Sequence, residues 1–100
     1  MTTTVLVVED EPAIQELVAI NLRHADFLVV RAASAEEAEA AIRLALPDLV
    51  VLDWMLPGQS GVALASKLRA AERTRELPII MLTARVHEDD KVQGLEAGAR

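Results

Sequence analysis

Hydrophobic positions along this chain follow two alternating patterns. Continuous apolar runs rich in Val, Ile and Leu occupy 4–9, 27–32, 48–53 and 78–83, the length and composition of strands covered on both faces. Helical spacing fills the gaps. Ile14, Leu17, Val18 and Leu22 predict a first helix that opens at Pro12, with Asp10 or Glu11 near its cap and this face against a sheet. Ser34 and Glu37 have the S-x-x-E spacing in which each side chain satisfies a free N–H of the first helical turn. They open a second helix whose inner stripe is Ala38, Ala41, Ile42 and Ala45, ended by Pro47. A third helix begins near Ser60 or Gly61, turns Leu64, Ala65 and Leu68 inward, and frays before Leu77-Pro78. Residues 87–97 predict a weaker fourth helix, with Gly94 inside it, Val92 and Leu95 as its stripe, and Gly98 as its stop.

Four β-α units in succession define an α/β chain: a doubly wound parallel sheet between two helical layers, joined by right-handed crossovers. With 100 residues the chain is one domain throughout, without repeat, linker or low-complexity segment. A chain of this size buries only roughly 60–65% of its unfolded surface, so its stability is modest.

Charge and composition narrow the function. Sixteen acids against ten Lys and Arg give a net charge of −6, which argues against a nucleic-acid surface within residues 1–100. The absence of Cys excludes a disulfide framework and a thiolate metal site. Met1-Thr2-Thr3-Thr4 has neither the basic start nor the apolar core of a signal peptide, and no apolar stretch reaches membrane-spanning length. A cytoplasmic protein is expected.

The candidate chemistry lies at the strand ends. Glu9 and Asp10 close the first run, Asp53 the third and Thr83 the fourth. Singly, Glu9-Asp10-Glu11 reads as a solvated loop with a helix cap, Asp53 as a turn residue before Pro57-Gly58, and Thr83 as a β-former. In the order 2-1-3-4-5, common among doubly wound sheets, strands 1 and 3 flank the switch point where ligands collect. Three carboxylates there repel one another unless a cation holds them. Oxygen ligands without Cys or a suitably placed His favour Mg²⁺ over zinc.

Three blocks carry a close resemblance to the receiver domain of bacterial two-component response regulators. They are Val7-Val8-Glu9-Asp10-Glu11-Pro12, Leu52-Asp53-Trp54-Met55-Leu56-Pro57-Gly58 through Ser60-Gly61, and Pro78-Ile79-Ile80-Met81-Leu82-Thr83-Ala84-Arg85. The second block looks most like the winged-helix regulators of the phosphate regulon. The resemblance implies a flavodoxin-like fold with strand order 2-1-3-4. It implies that Asp53 accepts a phosphoryl group from a histidine kinase, and that Glu9, Asp10, Asp53 and the Met55 carbonyl hold Mg²⁺. Thr83 would contact the phosphoryl group and swing inward as the switch, with Ala84 leaving room beside it. Trp54 is a possible modulator or simply loop packing. His24, His87 and the run Glu88-Asp89-Asp90-Lys91 read as solvated surface.

Receivers of this kind continue with a fifth strand bearing a Lys beside a Pro, a switch aromatic and a fifth helix. The pattern up to Arg100 stops short of these, and neither Lys67 nor Lys91 can replace that Lys. The expectation is an incomplete receiver domain over 1–100, an open apolar edge at the fourth strand, and a DNA-binding effector domain outside these residues. The encoded sequence beyond Arg100 is expected to supply a Lys-Pro within about ten residues. The lead reading is a phosphoryl-accepting switch rather than a turnover enzyme, able to pair with a second receiver. The alternatives are an interaction-only fragment, inert for want of the Lys, and a Mg²⁺-dependent phosphatase, a class that needs an acid where this chain has Met55.

Overall fold

Val- and Leu-rich runs pair into a parallel sheet of four strands: β1 (Thr4–Val8), β2 (Leu28–Ala32), β3 (Leu49–Asp53) and β4 (Ile79–Leu82). The computed structural model describes residues 2–56 and 58–82. The strand order is β2-β1-β3-β4, as expected for a doubly wound sheet. Val8 lies opposite Leu52, and Asp53 opposite Leu82, so the carboxyl ends of β1 and β3 run level. The helix expected over 87–97, together with Thr83 and Ala84, lies outside the described residues.

Alternation along the strands builds two cores. Leu6, Val8, Val50, Leu52, Ile79 and Met81 pack on one face against Ala35, Ala38 and Ile42 of α2 (Ala35–Leu44) and Leu64, Ala65 and Leu68 of α3 (Gly61–Ala70). Val5, Val7 and Val51 face the other way, onto Val18 and Leu22 of α1 (Pro12–His24). The alanines on α2 leave no bulk between helix and sheet, so that helix sits close. Each buried Val, Leu or Ile contributes roughly 1.5–3 kcal/mol.

Several expectations are corrected. Not every strand is covered on both faces: β2 is an edge, with Leu28 and Val30 exposed, and β4 leaves Ile80 exposed. Order in the sheet decides coverage, and these strands lie at its two sides. Leu17 is 61% exposed, while Ala19 is the fully buried residue of α1. Two positions of helix place Leu17 roughly 200° from Ala19, so it points outward. Ala45 is not part of the α2 stripe but its exposed, extended C-cap. α3 ends at Ala70, ahead of Leu77-Pro78 as expected, and passes into a 3-10 turn, Glu72–Thr74. There the buried Thr74 Oγ1 donates to the Leu68 carbonyl at 2.6 Å, and Arg69 Nη1 donates to the carbonyls of Arg75 and Leu77.

The helix ends follow local chemistry. Ser34 Oγ accepts from Glu37 N at 3.1 Å, and Glu37 Oε1 accepts from Ala33 N at 2.9 Å, one residue earlier than in the usual capping box. α1 closes without glycine. Asp26 takes φ 70°, its N–H donates to the Arg23 carbonyl, and the Phe27 N–H reaches back to the Leu22 carbonyl. This is a Schellman closure, with Leu22 and Phe27 both packed against the same core. Because a non-glycine residue is strained there, Asp26→Gly is expected to stabilise the fold by about 0.5 kcal/mol. Urea unfolding should show a raised midpoint with an unchanged slope.

Candidate metal and phosphoacceptor site

Carboxylates meet at the carboxyl ends of β1 and β3 because the strand register leaves them no other place. Glu9, Asp10 and Asp53 each offer an oxygen, and these oxygens lie within 4.8 Å of one another. Glu9 and Asp53 are both 1% exposed, whereas Asp10 stands at the rim. Glu9 Oε2 accepts from the Glu11 N–H at 2.9 Å, which turns its head towards the start of α1. Glu11 is the N-cap of that helix, accepting from Ala13 N at 3.3 Å, with Pro12 in the first turn. Asp53 Oδ1 accepts from the Met55 N–H at 3.2 Å, so the loop after β3 folds back over its own acid.

The loop from β3 to α3 is fastened on both sides. Trp54 N donates to the Leu82 carbonyl of β4 at 3.1 Å, and the Trp54 carbonyl accepts from Gly61 N at 2.8 Å. Gly61 brings the start of α3 so close that a Cβ there would lie 2.0 Å from the Asp53 carbonyl oxygen. Ser60 caps the helix, accepting from Ala63 N at 3.1 Å. Gln59 Nε2 and Lys67 Nζ both donate to Glu39 Oε2, tying this loop and α3 to α2. Lys67 is thus committed to the α2–α3 surface, away from a strand end.

Most of the expected site residues are brought together. Glu9, Asp10 and Asp53 form the cluster, and Met55 lies against it through its backbone. Trp54 is half-buried and packs against the larger core, in keeping with loop packing. His24 is exposed at the last turn of α1. Thr83 and Ala84 lie outside the described residues. One residue that the sequence did not single out also reaches the site: Gln15 Nε2 donates to the Glu9 carbonyl at 2.8 Å. Its signal was its spacing, since Gln15 shares a helical stripe with Val18, Ala19 and Leu22, where a polar side chain is out of place.

A cluster of oxygen donors alone, two of them buried, fits a small hard cation flanked by water and phosphate. A level pair of acid-bearing strands, a doubly wound sheet and that cluster are together compatible with a Mg²⁺-binding phosphoacceptor site. Residues 5–100 match the response regulator receiver domain, and the chain belongs to that family, whose members are regulatory. Among curated proteins it is similar to the phosphate regulon transcriptional regulatory protein PhoB of Pseudomonas aeruginosa, 49% identical over 96 residues, covering 96% of this chain and 42% of that protein. PhoB of Rhizobium meliloti is 48% identical over 99 residues, covering 99% of this chain and 44% of that protein. The chain therefore spans less than half the length of these relatives.

Solved structures give the same fold. A chain from Chloroflexus aurantiacus described as a response regulator superposes with a TM-score of 0.93 at 41% identity, covering all of this chain and 82% of that one. The receiver domain of a sensor histidine kinase from Pseudomonas aeruginosa, solved with magnesium coordinated in its active-site cleft, gives a TM-score of 0.88 at 30% identity. That match covers 100% of this chain and 82% of the other.

Proposed function

We propose that the chain is a Mg²⁺-dependent phosphoryl switch in which Asp53 is the acceptor. The observation that carries this is the convergence of Glu9, Asp10 and Asp53 oxygens within 4.8 Å at the switch point of the sheet. Glu9, Asp10, Asp53 and the Met55 carbonyl would hold Mg²⁺, which when bound neutralises acid and phosphate charge. An Asp53 carboxylate oxygen attacks the phosphorus of a kinase phosphohistidine. The P–N bond breaks as the O–P bond forms, and the imidazole leaves with the electron pair. Fixed by the Met55 N–H, the Asp53 side chain has little freedom to lose on reaching an in-line approach. Thr83 and Ala84 are assigned the phosphoryl contact and the space beside it on the family resemblance.

The partners follow from the same reading: a sensor histidine kinase, and a second receiver in a dimer. By analogy with its PhoB relatives, residues 1–100 are the receiver part of a longer cytoplasmic transcriptional regulator, with DNA contacts made by a separate effector domain. No described helix is long and apolar enough to cross a membrane. The phosphatase alternative gains no support, because Met55 stands where that class carries its second acid.

Incubation with Mg²⁺ and acetyl phosphate, followed by peptide mass spectrometry, tests the proposal. One phosphoryl group on Asp53, lost when Mg²⁺ is chelated, is the expected result. An unmodified chain under conditions where Mg²⁺ binds would favour the interaction-only alternative and overturn it.

A further inference from the structure

Gln15 stands in the second turn of α1, yet its side chain serves the ends of two strands. Nε2 donates to the Glu9 carbonyl at 2.8 Å and to the Ala32 carbonyl at 3.2 Å. Ala32 is the last residue of β2, and its carbonyl also accepts from the Glu9 N–H at 3.0 Å. The backbone N–H of Gln15 closes the first helical bond, to the Glu11 carbonyl at 2.9 Å. One residue thus grips the acidic loop at its beginning and at its end. A side-chain amide has two protons, and here each has a carbonyl. Turned over, it would set Oε1 against two carbonyl oxygens, so its orientation is fixed by its partners.

We infer that Gln15 is a positioning residue for the acid cluster: its amide pins the Glu9 backbone to the end of β2, holding Glu9 and Asp10 at cation-binding distance from Asp53. Like charges at that spacing push the loop outward, and the amide opposes this from behind without adding charge. The inference rests on the reading of the cluster as a Mg²⁺ site. Groups that orient metal ligands from behind influence affinity strongly even though they never touch the ion.

Gln15→Met keeps the length and removes both donors. With the single Trp, Trp54, as the fluorescent reporter, Mg²⁺ titration of the full chain should show affinity about tenfold weaker than wild type. In the wild type, the Gln15 side-chain amide signals in a ¹H–¹⁵N spectrum should lie away from the free-glutamine position and shift with the same Mg²⁺ midpoint as Trp54. That second measurement decides the matter if the variant does not fold, because signals at the free-glutamine position, unmoved by Mg²⁺, would overturn the inference. Equal Mg²⁺ affinity in wild type and variant would overturn it alone. A wild type that ignores Mg²⁺ would overturn both the inference and the metal-site reading beneath it.

Discussion

Gly61→Ala should cost the fold roughly 3 kcal/mol, at the upper end of what overpacking produces. The added methyl would sit 2.0 Å from the Asp53 carbonyl oxygen and 2.9 Å from the Trp54 Cα. All the atoms it meets are backbone, so no rotamer change can make room. Either α3 lifts away from the sheet or β3 bends, and both break the 2.8 Å bond from Gly61 N to the Trp54 carbonyl. For a domain of this size the melting temperature should fall by roughly 12–24 °C. Calorimetry measures it directly, and a fall of only a degree or two would show that the close approach is not needed. Any molecules that remain folded should also bind Mg²⁺ more weakly, because either shift disturbs the turn from Asp53 to Gly61 that borders the acid cluster.

Asp53→Asn should abolish phosphoryl incorporation, since the amide offers no anionic oxygen to attack phosphorus. Its effect on stability runs the other way. Asparagine keeps an oxygen to accept the Met55 N–H, but it removes one of three crowded negative charges. Without Mg²⁺ the variant should therefore be more stable than wild type, by about 1 kcal/mol. With Mg²⁺ at a hundred times its Kd, wild type gains about 2.7 kcal/mol by mass action, and the variant should lose most of that gain. Melting curves of both proteins, with and without Mg²⁺, would show the order of stabilities reversing. A variant that stays phosphorylated on another residue would remove Asp53 from its assigned role.

The strands and the candidate acid cluster were legible because both depend on where apolar runs stop. Val5–Val8 and Leu49–Leu52 end at acids, and a parallel sheet with strands 1 and 3 adjacent can only bring those ends together. The Ser34 and Ser60 caps were readable for a similar reason, since each hydroxyl acts within three residues of its own position. What escaped depended on neighbours distant in sequence. Leu17 repeats at helical spacing with buried residues, yet it lies on the far side of Ala19, which the pattern alone ranks lower. The Asp26 turn carries no glycine to announce it. Thr74 looks like an ordinary polar residue until its hydroxyl meets Leu68. Gln15 acts on Glu9 and Ala32, six and seventeen positions away, and no local rule connects an amide in one helix with the carbonyls of two strands.

The approach to β4 carries a mechanical consequence. Arg69 gathers the carbonyls of Arg75 and Leu77, Thr74 holds Leu68, and Val50 N donates to the Pro78 carbonyl at 3.0 Å. The strand is footed at its amino end by Arg69 of α3, the 3-10 turn and the β3 backbone, while at its carboxyl end the Leu82 carbonyl is held by the Trp54 N–H. Between these ends every residue of β4 is also paired with β3, from Ile79 opposite Val50 to Leu82 opposite Asp53. A displacement of Asp53 is therefore passed sideways into β4 and down to its anchored start, so the acid cluster and the neighbouring strand shift as one body.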